Sequence, residues 1–251
     1  MSSGPGGTPD DRRVPGAALL DLVAIMDRLR RECPWDARQT HESLAPYLLE
    51  ETYEALDAIE RRDLAELCGE LGDVLLQVLF HARVASERTD GTGFDIDDVA
   101  TQIADKLVRR HPHVFAEVNV AGADEVLRNW DTIKAAERAA AGGGSTSALD
   151  GVPMAQPALS LAAQLQRRAR SSGAPAGLAD LTADAAAGAT AMAAANAPAG
   201  PDPEPVSAIG AELFALVARA RAAGVDPEME LRAAARAFRD RFRDWERSPQ
   251  R

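Results

Sequence analysis

Five carboxylates interrupt two segments that otherwise read as apolar helices, and this pattern constrains the chain more than any other. Leu49-Glu50-Glu51-Thr52-Tyr53-Glu54 is followed, after a basic turn, by Gly69-Glu70-Leu71-Gly72-Asp73. On an α-helix, residues three or four apart share a face. Glu50 and Glu54, Glu51 and Glu54, and Glu70 and Asp73 are such pairs. A carboxylate beside an apolar core is costly unless a positive charge meets it. The turn Arg61-Arg62-Asp63 makes the two helices antiparallel neighbours. Glu51/Glu54 and Glu70/Asp73 lie at similar distances from that turn, so they are expected to face each other. The alternative is a solvated acidic face balanced by Arg61 and Arg62.

Oxygen-only ligands on rigid helices suit a hard cation. Mg²⁺ is the first choice, with Mn²⁺ able to substitute. Four carboxylates exceed what one Mg²⁺ usually takes from protein, so two or more ions completed by substrate phosphates are the expectation. No His or Cys falls in the cluster, which argues against Zn²⁺.

The same helical period runs along the chain. Leu19, Leu22, Val23, Met26 and Leu29 mark a first helix over 17–31, which Pro34 stops at Cys33. Thr40 or Ser43 caps a second helix to about Glu60, and Asp63 caps a third from Leu64 to about Glu87. The apolar side of this pair is read as Leu48, Ala55, Leu56 and Ile59 with Leu67, Leu71, Val74, Leu75 and Val78. Asp95 or Asp97 opens a fourth helix, which His111-Pro112-His113 ends. A fifth covers 124–140. Aromatic residues are only 4% of the chain, and no segment shows sustained strand-like alternation. The expected fold class is therefore all-α, an antiparallel helical bundle with a second, thinner helical unit behind it.

The domain reading is a leader over 1–15, a catalytic domain over 16–141, a linker over 142–157 and a second helical region over 158–251. Within the last, 171–205 is dominated by Ala, Gly and Pro. Helices are expected there over 157–170, 182–195, 208–223 and 227–246. The chain carries 28 Lys+Arg against 39 Asp+Glu, a net charge of −11. So acidic a chain repels phosphate polymers, which argues against a nucleic-acid partner. The apolar run Val74–Phe80 is too short to span a bilayer, and the leader lacks an apolar signal-peptide core. Cys33 and Cys68 read as reduced thiols, Cys68 on the core side. The expectation is a soluble cytoplasmic protein with no membrane partner.

Beyond the acids, a set of motifs resembles the all-α nucleoside triphosphate pyrophosphohydrolases, specifically the MazG family. They are Cys33-Pro34-Trp35-Asp36, Gln39-Thr40, Ala45-Pro46-Tyr47, the two acidic motifs, Asp105-Lys106 through Arg109-Arg110-His111-Pro112-His113-Val114-Phe115, and Trp130 with Lys134. The resemblance spans about Leu19 to Arg138 and implies a MazG-like four-helix core. It implies hydrolysis of an NTP or dNTP to the monophosphate and pyrophosphate, and nucleotide-pool house-cleaning at family level. Glu51, Glu54, Glu70 and Asp73 would be the main metal ligands. Glu50 or Glu54 would take a proton from the attacking water. Lys106 and Arg110 match phosphate-contacting positions, and Lys134 and Trp130 a further pair. Trp35 and Asp36 lie in a loop with two readings, contact with the nucleoside or a structural cap. His111 and His113 read as a turn, and His41 and His81 show no partner. A homodimer is expected, as is common in the family.

The second half resembles a decayed copy of the first. Its Glu-Glu-x-x-Glu helix should fall near 182–195, where Ala and Gly dominate. Its Glu-x-x-Asp pair should fall near 207–212, which reads Ser-Ala-Ile-Gly-Ala-Glu, and the lysine expected before Phe238 is Ala237. Two rival readings accompany the enzyme: a non-catalytic helical interaction module, and a narrow pyrophosphatase for dUTP or a modified nucleotide.

Overall fold

A computed structural model describes residues 14–116, 120–140, 147–179, 181 and 206–248. The leader up to residue 13 and the helix expected over 182–195 lie outside them. Among the described residues there is no strand, so the fold is all-α as the helical period predicts. Contacts divide the chain into two compact units, Met1–Arg109 and Arg110–Arg251.

The first unit is built on α1 (Ala17–Glu32), α2 (His41–Arg61), α3 (Leu64–Ala85) and α4 (Ile96–Arg110, whose last residue falls in the second unit). Local chemistry sets each boundary. The Thr40 hydroxyl accepts from the Ser43 backbone N–H, and the Ser43 hydroxyl accepts from that of Thr40. This reciprocal box satisfies two donors at the start of α2. Arg62 takes the left-handed conformation at φ 57°, and the Asp63 carboxylate accepts from Ala65 and Glu66. A chain reversal of two residues therefore joins α2 to α3. Asp95, not Asp97, receives the first N–H groups of α4.

Met26, Leu44, Leu79 and Phe80 form the core, with Leu22, Val23, Leu75, Leu76, Val84 and Ile96 packed against them. A buried cation holds its rim. Arg30 is 9% exposed and makes two hydrogen bonds to the Glu87 carboxylate, at 2.9 and 2.8 Å. It also donates to the carbonyls of Asp36 and Gln39. One guanidinium thus ties the end of α1, the loop before α2 and the end of α3 together. Such planar two-pronged pairing is what Arg, and not Lys, can do.

Four side chains expected inside lie outside. Cys68 is exposed, and so are Ile59, Leu71 and Val78, at 49%, 53% and 37%. They stand on α2 and α3 flanks that no other described element covers. Leu19, Leu20 and Ile25 on α1 are likewise exposed.

The second unit contains the single turn α5 (Pro112–Phe115), α6 (Ala123–Ala140), α7 (Ala158–Ser171), α8 (Ala208–Ala222) and α9 (Pro227–Arg247). Its buried apolar residues are small: Val152, Ala163, Ala211 and Val217. Gln166 of α7 donates to the Phe214 carbonyl of α8 at 2.8 Å, a polar tie where the first unit uses large apolar side chains.

Candidate metal centre

The close pairing of α2 and α3 brings acids from both helices together. Glu51, Glu70 and Asp73 each offer a carboxylate oxygen, and these oxygens lie within 4.8 Å of one another. Glu51 and Glu70 are half-buried and Asp73 is exposed. Among the described residues this is the one cluster of metal-ligating side chains with that geometry.

Burial raises the Glu51 carboxyl above its ordinary value, and the negative charges of Asp73, Glu54 and Glu50 raise it further. Burial also raises Glu70, followed by the charge of Glu54 and a hydrogen bond shared with it, then by Asp73 and Glu66. Both shifts have the same cause, partial burial with like charges held close. A bound cation would relieve that repulsion. The nearby arginine does not relieve it. Arg61 bonds to Asp57 at 2.9 Å and to Glu66, which commits it to the turn. Arg61 therefore balances Asp57 and Glu66 and makes no ion pair with Glu51, Glu70 or Asp73 among the described residues.

Glu54 stands beside Glu70 without joining the tight trio. Glu50 and Glu54 line an open groove of about 530 Å³ with Tyr53, Asp57, Arg61, Glu66 and Glu70. The two acids proposed for proton transfer thus border the cluster on the solvent side. Trp35 packs edge-on against Tyr47 and Phe80, at 5.9 and 6.3 Å between centroids, and keeps 44% of its surface exposed. Asp36 opens a single 3₁₀ turn, and its carbonyl accepts from Arg30. The loop is thus tied down through the Asp36 carbonyl, while the Trp35 ring stays partly open to solvent. Lys106 is half-buried on α4 and has no ion-pair partner among the described residues.

The remaining predicted residues belong to the second unit. Arg110 is bound to Glu137, at 3.0 Å from Nε and 2.6 Å from a terminal nitrogen. Lys134 Nζ sits 3.7 Å from the centre of the Trp130 ring, a cation–π contact. The indole N–H of Trp130 is buried and has no acceptor among the described residues.

One pair escaped the sequence reading. His41 and His81, each without a visible partner in sequence, stack in parallel with their Nδ1 atoms 2.8 Å apart. Burial, and then His41, lower the His81 imidazole below its ordinary value. The only available signal was position, one histidine at the first residue of α2 and one on the inward side of α3.

The MazG nucleotide pyrophosphohydrolase domain matches residues 39–115, which carry both acidic motifs and Lys106. An uncharacterized 26.1 kDa protein of Streptomyces cacaoi is 45% identical over 235 residues, covering 94% of this chain and 85% of its own. The nucleoside triphosphate pyrophosphohydrolase of Escherichia coli K12 is 42% identical over 90% of this chain and 86% of its own. The chain belongs to the MazG family. A third MazG relative, the nucleoside triphosphate pyrophosphohydrolase/pyrophosphatase MazG of Thermotoga maritima, is 38% identical over 92% and 86% of the two chains. Similarity to these three relatives extends over the second unit as well as the first. Among the described residues no helix is long and apolar enough to cross a membrane.

Proposed function

We propose that this chain hydrolyses nucleoside triphosphates to the monophosphate and pyrophosphate, at the carboxylate cluster of its first unit. The observation that carries the reading is the convergence of Glu51, Glu70 and Asp73 within 4.8 Å, on the segment that matches the family. Relatives that bear the name nucleoside triphosphate pyrophosphohydrolase support it.

The donor set is all-oxygen and suits Mg²⁺, with Mn²⁺ as substitute. Glu51, Glu70 and Asp73 would hold the metal, with Glu54 completing the set from beside Glu70. When bound, the metal supplies positive charge to the phosphate oxygens and acidifies nearby water. Glu50 or Glu54, on the groove side, would accept the proton of a water attacking the α-phosphorus. Lys106 of the same unit would supply a cationic donor for phosphate oxygens, where a charge-assisted hydrogen bond is roughly twice as strong as a neutral one. Trp35 would offer a ring edge to a base, and Asp36 an acceptor; Arg110, Trp130 and Lys134 belong to the second unit. House-cleaning of the nucleotide pool in the cytoplasm is the cellular role that fits. The exposed apolar side chains of α1 and of the α2–α3 flanks fit a homodimer, which would cover them.

The test is a panel of eight common NTPs and dNTPs with Mg²⁺ or Mn²⁺, with pyrophosphate and orthophosphate measured separately. Pyrophosphate release that disappears in Glu51→Gln and Asp73→Asn is the expected result. Orthophosphate as the first product, or no release from any member, sinks the reading. Turnover confined to dUTP or a modified nucleotide would make this a narrow enzyme of the same class.

A further inference from the structure

The second unit holds a cavity of about 480 Å³ lined by α7, α8 and the segment that follows α7. Most of its wall is apolar, with Leu165, Leu178 and Phe214 among the lining residues. Three polar side chains line it as well: Gln166, Arg170 and Arg221. That combination is the composition of a small-molecule site, an apolar pocket with a few placed polar groups.

Each polar group is left incomplete. Gln166 is 7% exposed, and its Nε2 is used on the Phe214 carbonyl. Its Oε1 is buried and accepts no hydrogen bond among the described residues. A buried acceptor in that state calls for an explanation, and a donor on a ligand is one. Arg221 is disfavoured as a cation by burial and, further, by Arg170 and Arg167 close by. None of the three arginines has an acidic partner among the described residues. Arg170 and Arg221 stand in the last turns of α7 and α8. Helix ends offer only partial negative charge, and only to the nearest turn. Clustered arginines beside an apolar pocket are the arrangement that a bound phosphate or carboxylate completes.

We infer that this cavity binds a nucleoside monophosphate, its phosphate on Arg170 and Arg221 and its base against the apolar wall, with a ring N–H or amino group donating to Gln166 Oε1. All three unmet features are answered by one molecule: an anion, a planar apolar body and a hydrogen-bond donor at its edge. The cavity is large enough for a mononucleotide, since ligand pockets begin near about 300 Å³. The second unit then has a ligand role although the described residues give it no acidic cluster. The site stands on its own residues and does not depend on turnover in the first unit.

The experiment is calorimetric titration of the full chain in EDTA with AMP, GMP, CMP and UMP, beside inorganic phosphate and adenosine. At least one monophosphate is expected to bind once per chain, more tightly than phosphate or nucleoside alone. Arg170→Ala and Arg221→Ala should each weaken it about tenfold or more, and Gln166→Leu severalfold. Asp73→Asn, in the first unit, should leave it unchanged. Melting curves establish that each variant folds, and Arg221→Lys, which keeps the charge, should bind between wild type and Arg221→Ala. Three results would overturn the inference. One is no binding at millimolar monophosphate. Another is binding that Asp73→Asn abolishes and Arg221→Ala spares. The third is a monophosphate that binds no tighter than inorganic phosphate.

Discussion

The two units of this protein each set a pair of helices side by side, and the two pairs gather opposite charge. In the first, α2 and α3 bring Glu51, Glu70 and Asp73 together, and Glu51 and Glu70 are held above their ordinary protonation range. In the second, α7 and α8 bring arginines together, and Arg221 is pushed below its own. Each arrangement costs stability in the free protein, because like charges are held close and partly out of water. Folds keep such strained clusters where a ligand of opposite charge repays them. The first unit tolerates its repulsion on a core of large side chains, Met26, Leu44, Leu79 and Phe80. The second has mainly small ones and relies more on polar ties such as Gln166 to Phe214. Helical architecture by itself therefore says little about function, and the charge that each helix pair gathers says more.

The largest effect expected from breaking this contrast is on turnover. Glu51→Gln or Asp73→Asn should lower Mg²⁺-dependent pyrophosphate release by on the order of 10²–10³ or more, measured by initial rates at saturating substrate. In the metal-free protein, Glu51→Gln should also raise the melting temperature near neutral pH, because it removes one of the mutually repelling charges. The sign follows from the raised carboxyl. Its folded form holds a proton more tightly than its unfolded form, so ionisation as pH rises above the carboxylate range disfavours the fold. Metal-free wild type should therefore lose stability as pH rises through that range, and Mg²⁺ should restore it.

Stability gives the next effect. Arg30→Ala removes a buried guanidinium that serves one carboxylate and two carbonyls. It should cost about 2–3 kcal/mol, discounted for the exposure of Glu87, and be read as a drop in the denaturant midpoint. No single arginine of the second unit is expected to cost as much.

A smaller effect concerns pH. The His81 imidazole is lowered in the folded protein, so the unfolded chain binds more protons below about pH 6.5. Stability should fall as pH drops through that point toward the lowered folded value, and His81→Gln should flatten the decline in urea melts taken from pH 7.5 to 5. A wild-type curve flat across that window would refute the stacked pair as drawn. The smallest effect is at Glu212, the one acid left where the second unit's acidic pair would fall. Glu212→Ala should change pyrophosphate release less than about twofold.

Much of the first unit was legible because its signals are local. Thr40, Asp63 and Asp95 cap the helices that follow them, and a cap is a contact over two or three residues. The carboxylate pairs share helix faces at three- and four-residue spacing for the same reason. The inward reading of Cys68, Ile59, Leu71 and Val78 failed because an apolar side chain in a helical period does not reveal how wide the covered stripe is. The His41–His81 pair was invisible because forty positions separate its members.

The sequence by itself determined that this chain is helical, where its first helices begin, and that Glu50, Glu51, Glu54, Glu70 and Asp73 gather on two neighbouring helices. Those follow from backbone hydrogen bonding and the 3.6-residue period, which act over one or two turns. Only the tertiary structure decided which acids converge: Glu51, Glu70 and Asp73 meet, while Glu50 and Glu54 border them. It also decided that Arg61 serves the turn, that Arg30 reaches Glu87, and that Gln166, Arg170 and Arg221 line one cavity. These depend on how helices are rotated and packed against each other, and that is set by the whole core at once, not by any segment of the chain.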